Sequence, residues 1–168
     1  MTITQATIEQ SADFQLANTP PYTGSDRFGA GVEVAERWST GTLDRQFEAG
    51  AEFVFSIAAL GTQLIDLQTD LGADGAALAL VDVRYLKIQA DEANTSKVTV
   101  EPDATDGWLS WLTAVTAVMD IPAGVTVGPV SPIDGSYVVA AANKQLLLTN
   151  TDAANAATVR VVVVGTRA

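Results

Sequence analysis

The chain contains no histidine and no cysteine. Histidine is the side chain whose charge changes near neutral pH, and the cysteine thiolate is a potent nucleophile and soft metal ligand. Two of the usual choices of general base, nucleophile and metal ligand are therefore missing. Without cysteine there are no disulfides, so core packing, with or without oligomerisation, must hold the fold together. Charge is also scarce. Only 17% of the 168 residues are charged, with nine basic against twenty acidic and a net charge of -11. The basic residues are scattered from Arg27 to Arg167 without a cluster. Phosphate neutralisation drives nucleic-acid affinity, so no nucleic-acid partner is expected. Anionic membrane is disfavoured for the same reason. No apolar run approaches the roughly 18 residues of a membrane helix. The opening Met1 to Gln10 lacks the basic and apolar regions of a signal peptide. So low a charged fraction fits a surface partly covered by partners, and it equally fits an exterior rich in Ala and Thr.

Hydrophobic residues make up 48% of the chain. A chain of this length forms one domain that buries roughly 70% of its unfolded surface. Alternation of apolar and polar residues predicts strands at Thr2 to Glu9, Phe53 to Ala58, Gln63 to Leu67, Leu80 to Gln89 and Lys97 to Glu101. Near the end, Gln145 to Thr149 and Thr158 to Val164 flank a linker of Asn, Asp, Thr and Ala, the sequence form of a paired hairpin. With Tyr137 to Ala140, about eight strands result, and the expected fold is all-β: an antiparallel two-sheet sandwich of jelly-roll type. Asp70 to Ala79 has room for one helical turn.

The main core candidates are Val81, Val83, Leu86, Ile88, Leu146, Leu148, Val161 and Val163. Strict alternation puts Val81, Val83 and Tyr85 on one face and Leu86 and Ile88 on the other, so one set must meet a neighbour or lie under the arm. That arm is residues 1–50, ahead of a sandwich domain at 51–168. From Ser11 to about Gly50 it is punctuated by Pro, Gly and Ser, yet carries Phe14, Tyr22, Phe28, Trp38 and Phe47. Long irregular segments are usually functional, and this one is expected to dock either on its own sandwich or on a neighbour.

No catalytic signature is present, and no enzyme activity or cofactor is expected. Asp66, Asp70 and Asp74 repeat every four residues, but a calcium loop needs ligands at two-residue spacing and a closing Glu. Turn and cap formation is the expected role of these acids. Lys87, Lys97 and Lys144 lack the Ser-x-x-Lys spacing of a serine nucleophile with a lysine base. Trp108 and Trp111, with Tyr137, suit either a sugar-stacking platform or packing in a core or protomer interface. Two tryptophans three positions apart on a strand would face opposite sides, which favours packing.

The order Ile65-Asp-Leu67, Gly75, Val83 to Ile88, Asn94-Thr95, Asp106-Gly-Trp108, Ile121 to Gly124, Pro132, Gly135 to Val138 and Leu147 to Gly165 resembles a family of tailed-bacteriophage virion proteins. These small β-sandwich proteins are associated with the phage particle, and similar jelly rolls serve as capsid cement, or decoration, proteins. The resemblance spans residues 60–168, with Trp38 to Arg45 the best match before that. It implies a structural protein on the outer capsid surface of the virion, made in the bacterial host cytoplasm. Its implied partners are the major capsid protein and its own copies, as a homotrimer. The arm's Phe14, Tyr22, Arg27, Phe28, Arg37, Trp38 and Arg45 are then the candidate capsid contacts. A head-fibre, tail or baseplate module that binds carbohydrate is the alternative.

Overall fold

The computed structural model describes residues 5–9, 14–16, 35–40, 46–131 and 135–167, the first three segments and Gln46 through their backbone only. Tyr22, Arg27, Phe28 and Arg45 lie outside the described residues.

Near the start, β1 (Gln5–Glu9) pairs antiparallel with β2 (Phe14–Leu16) and β3 (Ala35–Thr40). A parallel step joins β3 to β4 (Gln46–Phe47) and completes a four-stranded sheet. The stretch from Ser11 to Gly50, expected to be irregular, thus contains strands. Alternation is the main signal for a strand in sequence, and two- to six-residue strands offer too little of it.

The remaining strands are β5 (Ala49–Ile57), β6 (Thr62–Asp66), β7 (Leu80–Ala90), β8 (Val98–Pro102), β9 (Met119–Ile121), β10 (Thr126–Val127), β11 (Gln145–Asn150) and β12 (Ala157–Arg167). They form two four-stranded antiparallel sheets, ordered β10-β7-β12-β5 and β6-β11-β8-β9. The sheets pack face to face as the expected sandwich, and one cluster of buried side chains from both fills the space between. Pairing is nested. β8 pairs with β9, β7 with β10, β6 with β11 and β5 with β12, so the second half of the chain folds back along the first.

Nesting overturns the closing hairpin. β11 pairs with β6 and β8, whereas β12 pairs with β5 and β7, so the two strands lie in opposite sheets. Residues 151–156 therefore form an arch over the end of the core. Asn150 is fully buried and fixes that arch: its amide donates to the carbonyls of Ile57, Ala58 and Asn155, and its side-chain oxygen accepts from the Asp152 N–H. Each strand buries its apolar face, and an arch lets both faces meet across the core, which a flat hairpin does not.

A second correction concerns β7. Val164 opposes Tyr85 and Gly165 opposes Val83, so Arg84 is an extra residue and the ladder bulges there. A bulge breaks the two-residue period. Val83 consequently joins Leu86 and Ile88 in the core, with Leu146, Leu148, Val161 and Val163, while Val81 stays half-buried outside it. Gly165 sits opposite the bulge, where a Cβ would lie 2.1 Å from the Asp82 carbonyl oxygen.

The expected strand at Tyr137 to Ala140 is reduced to isolated bridges, and Asp70 to Ala79 holds a small bridged turn between Leu71 and Ala77 rather than a helical turn. The one helical turn among the described residues is α1 (Leu109–Leu112).

Candidate functional site

The two ends of the sandwich differ in chemistry. At one end lie the β5–β6, β7–β8, β9–β10 and β11–β12 connections, which expose Leu60 and Val125 and are tied together by polar side chains. Asp152 accepts hydrogen bonds from the Thr95 hydroxyl and from the backbone N–H groups of Ala154 and Asn155. These bonds, led by that of Thr95, hold its carboxyl well below the usual carboxylate range. Asn94 reaches across to β12, donating to the Thr158 carbonyl and accepting from the Thr158 N–H.

At the opposite end the β6–β7, β8–β9 and β10–β11 connections gather the aromatic residues. Trp108 is fully buried, and its indole N–H donates to the Val138 carbonyl at 2.9 Å. Its ring lies 6.3 Å from that of Trp111 and 6.2 Å, edge-on, from that of Tyr137, both half-buried against the core. The two tryptophans share a side, contrary to the strand-based expectation. α1 intervenes, and on a helical turn residues three apart are neighbours. Asn143 pins this turn, accepting from the Leu109 N–H and donating to the Ser110 hydroxyl. In the connections of this end, Leu71, Val115, Val118 and Val138 are exposed. The loop from Thr113 to Val118 that carries two of them has no charged residue.

The three acids at four-residue spacing serve the backbone of this same end. Asp66 accepts from the Gln68 and Thr69 N–H groups and from the Gln145 amide, and lies 3.5 Å from the Lys144 ammonium. Burial raises its carboxyl, but those hydrogen bonds and Lys144 outweigh it, and the net shift is downward. Asp70 accepts from the Asp66 N–H, and burial pushes its carboxyl up. Asp74 pairs with Arg167 at 2.7 Å, and that hydrogen-bonded contact lowers its carboxyl. Among the described residues no group of three acids stands where it would hold a metal ion.

On the outer face of the β10-β7-β12-β5 sheet, Tyr85, Lys87, Val162 and Val164 are buried although they point away from the core. β4, with buried Phe47, lies close to β12, and the backbone of Pro129 and Ser131 bonds along β7. Arg84 lies here too, 3.1 Å from Asp82, with both side chains buried. Asp82 also accepts from the N–H groups of Tyr137 and Gly135, which ties the aromatic end to the bulge. Strict alternation would set Asp82 and Arg84 beside Leu86 and Ile88. The bulge separates them.

Farther along that face a polar cleft of about 360 Å³ opens, lined by Val54, Gln89, Asp91, Glu92, Gly124, Thr158 and Arg160. None of these was a candidate in sequence. Alternation places Gln89, Thr158 and Arg160 outward, but only the register of β5, β12 and β7 brings Val54, Arg160 and Gln89 into one row.

Of the arm candidates, Phe14 is in β2 opposite Ile8, and Arg37 and Trp38 are in β3 opposite Thr7 and Ala6. No protein-family model matches this chain, and no curated protein matches it.

Proposed function

We propose that this is a non-catalytic structural protein of a phage virion, a jelly-roll cement protein that binds the outer shell and stabilises the junctions between capsomers. The strand order supports the jelly-roll part of this reading. In order of appearance the sandwich strands run 6-3-8-1 in one sheet and 2-7-4-5 in the other, the arrangement of a long hairpin wrapped into two interlocked Greek keys. The aromatic end supplies a fitting contact surface, with Leu71, Val115, Val118 and Val138 exposed and half-buried Trp111 and Tyr137 packed on buried Trp108. Exposed apolar patches of this kind mark interaction sites.

In this reading the protein works by mass action. It binds the assembled shell and not the isolated subunit, so each contact across two capsomers stabilises the assembled state. Several weak contacts, multiplied by a trimer, add to a lasting hold. The net charge of -11 supports a position outside the shell, away from packaged DNA. The segment before Gly31, with Phe14, Tyr22, Arg27 and Phe28, makes part of the capsid contact, joined by Arg37, Trp38 and Arg45.

The test is mass spectrometry of purified particles, followed by a map of their surface. The protein should be present in a fixed ratio to the major capsid protein, as three-fold density on the outer shell. Density in a fibre, tail or baseplate, or absence from purified particles, would overturn the cement reading. Chain lacking the residues before Gly31 should bind shells more weakly with its sandwich intact, and undiminished binding would remove the arm from the contact.

A further inference from the structure

The polar cleft belongs to neither the aromatic end nor the buried half of the outer face. Its floor is one row of the sheet, Val54 on β5, Arg160 on β12 and Gln89 on β7, with Thr158 one step farther along β12 on the same face. Its rim is two connections, Asp91 and Glu92 from one and Gly124 from the other. Both are held by the backbone. The Asp91 carboxylate accepts from the Ala93 N–H, the Asp91 N–H donates to the Thr158 carbonyl, and the Gly124 N–H donates to the Ala90 carbonyl. Gly124 adopts a φ of +75°, a conformation that favours glycine and turns the rim back against Glu92. The cleft is therefore formed before any ligand arrives, as small-molecule sites usually are.

Its chemistry is mixed. Arg160 offers guanidinium donors in a planar fork, Asp91 and Glu92 offer acceptors, and the Gln89 amide and Thr158 hydroxyl offer both. Arg160 is itself oriented by Glu52 at 3.3 Å. Beside them Val54 presents an apolar side chain that is 62% exposed. Two rim acids beside one arginine disfavour an anionic ligand, and the arginine in the floor disfavours a cationic one. Vicinal hydroxyls, each both donor and acceptor on a ring with an apolar C–H face, match the set. We infer that this cleft binds a neutral saccharide residue, with Arg160, Gln89 and Asp91 on its hydroxyls and Val54 against its C–H face. This holds wherever the protein sits in a virion, so it stands or falls separately from the cement reading.

The test is titration of the isotopically labelled full chain with glucose, galactose, mannose and N-acetylglucosamine, followed by amide resonances. Inorganic phosphate and spermidine serve as anionic and cationic probes. At least one sugar should shift the amides of Gln89, Asp91, Thr158 and Arg160 with an affinity near about 1 mM, the range of weak single-residue ligands. With spectra otherwise unchanged, Arg160→Met should weaken it about tenfold or more and Gln89→Leu about threefold or more, as loss of a charged and a neutral hydrogen-bonding partner does. No shift with any of the four sugars, shifts away from the cleft, shifts with phosphate or spermidine alone, or variants that bind as well as the parent would each overturn the assignment.

Discussion

At the residue scale, two positions decide more than their chemistry advertises. Trp108 ties the β8–β9 connection to the β10–β11 connection and to β11: its ring meets Trp111 and Tyr137, its indole N–H holds Val138, and its own N–H donates to the Gln145 carbonyl. Trp108→Ala should cost about 3–5 kcal/mol, the range for large core aromatics. Trp108→Phe should recover most of the packing but forfeit about 1 kcal/mol for the lost hydrogen bond. Urea midpoints of the two variants measure both. Gly165 has no side chain to lose, and its role is to make room for the Arg84 bulge. Gly165→Ala sets a Cβ against the Asp82 carbonyl, so β7 and β12 must separate or the bulge must move. Overpacking of this kind costs about 1–3 kcal/mol. The loss should be accompanied by faster hydrogen exchange in the β7–β12 ladder beside the bulge than in the parent, and unchanged exchange there would mean the strands absorb the methyl elsewhere.

At the scale of elements, alternation was readable and its exceptions were not. Val159, Val161 and Val163 are buried in the core, as a two-residue period requires, and the same holds for Leu146 and Leu148. Val83 is the exception, because a bulge depends on the register of the partner strand. The fate of the β11–β12 linker was equally hidden: local residues permit a hairpin or an arch, and long-range pairing chooses. The turn after β6 gives an acid-dependent prediction. Asp66 has a folded pKa below its unfolded value, so its contribution is fully present above the ordinary Asp value of about 4 and is lost as pH falls through the folded value. Asp70 is shifted the other way, and its protonation favours the fold as pH falls. Asp66→Ala should therefore destabilise the protein by about 1–3 kcal/mol at neutral pH, the cost of orphaning the donors it serves. The gap from the parent should narrow below about pH 4. Denaturant midpoints at pH 7 and pH 3 test this, and an equal gap at both would remove the Asp66 charge from the account.

At the scale of the whole molecule, the sandwich is asymmetric from end to end. One end is held by Asx-type turns at Asp152 and Asn150 and by the Asn94 amide bonded to Thr158, and the other exposes Leu71, Val115, Val118 and Val138 and buries Trp108. An assembly that buries the second end in a closed ring leaves no sticky surface. In sedimentation experiments the parent should form trimers, and the double variant Val115→Asp with Val118→Asp should remain folded and dissociate. Both side chains are exposed, so the fold itself should tolerate the change. A parent that stays monomeric at micromolar concentrations, or a double variant that stays trimeric, would remove this end from the protomer contact.

The sequence by itself determined the class: without cysteine and with a two-residue apolar period, buried strands were the available route to a stable core, and most inward-facing side chains could be named from the pattern. The acids at four-residue spacing were legible too, because turn formation is a local property of Asp. Tertiary structure alone decided which strands pair, that β11 and β12 lie in opposite sheets, that a helical turn puts Trp108 beside Trp111, and that Arg160, Gln89 and Val54 line one cleft. The pairings and the cleft depend on contacts between residues far apart in the chain, and the helical turn is pinned by one, Asn143 on Leu109. Side-chain periodicity fixes the face on which a residue lies, whereas register fixes its neighbours.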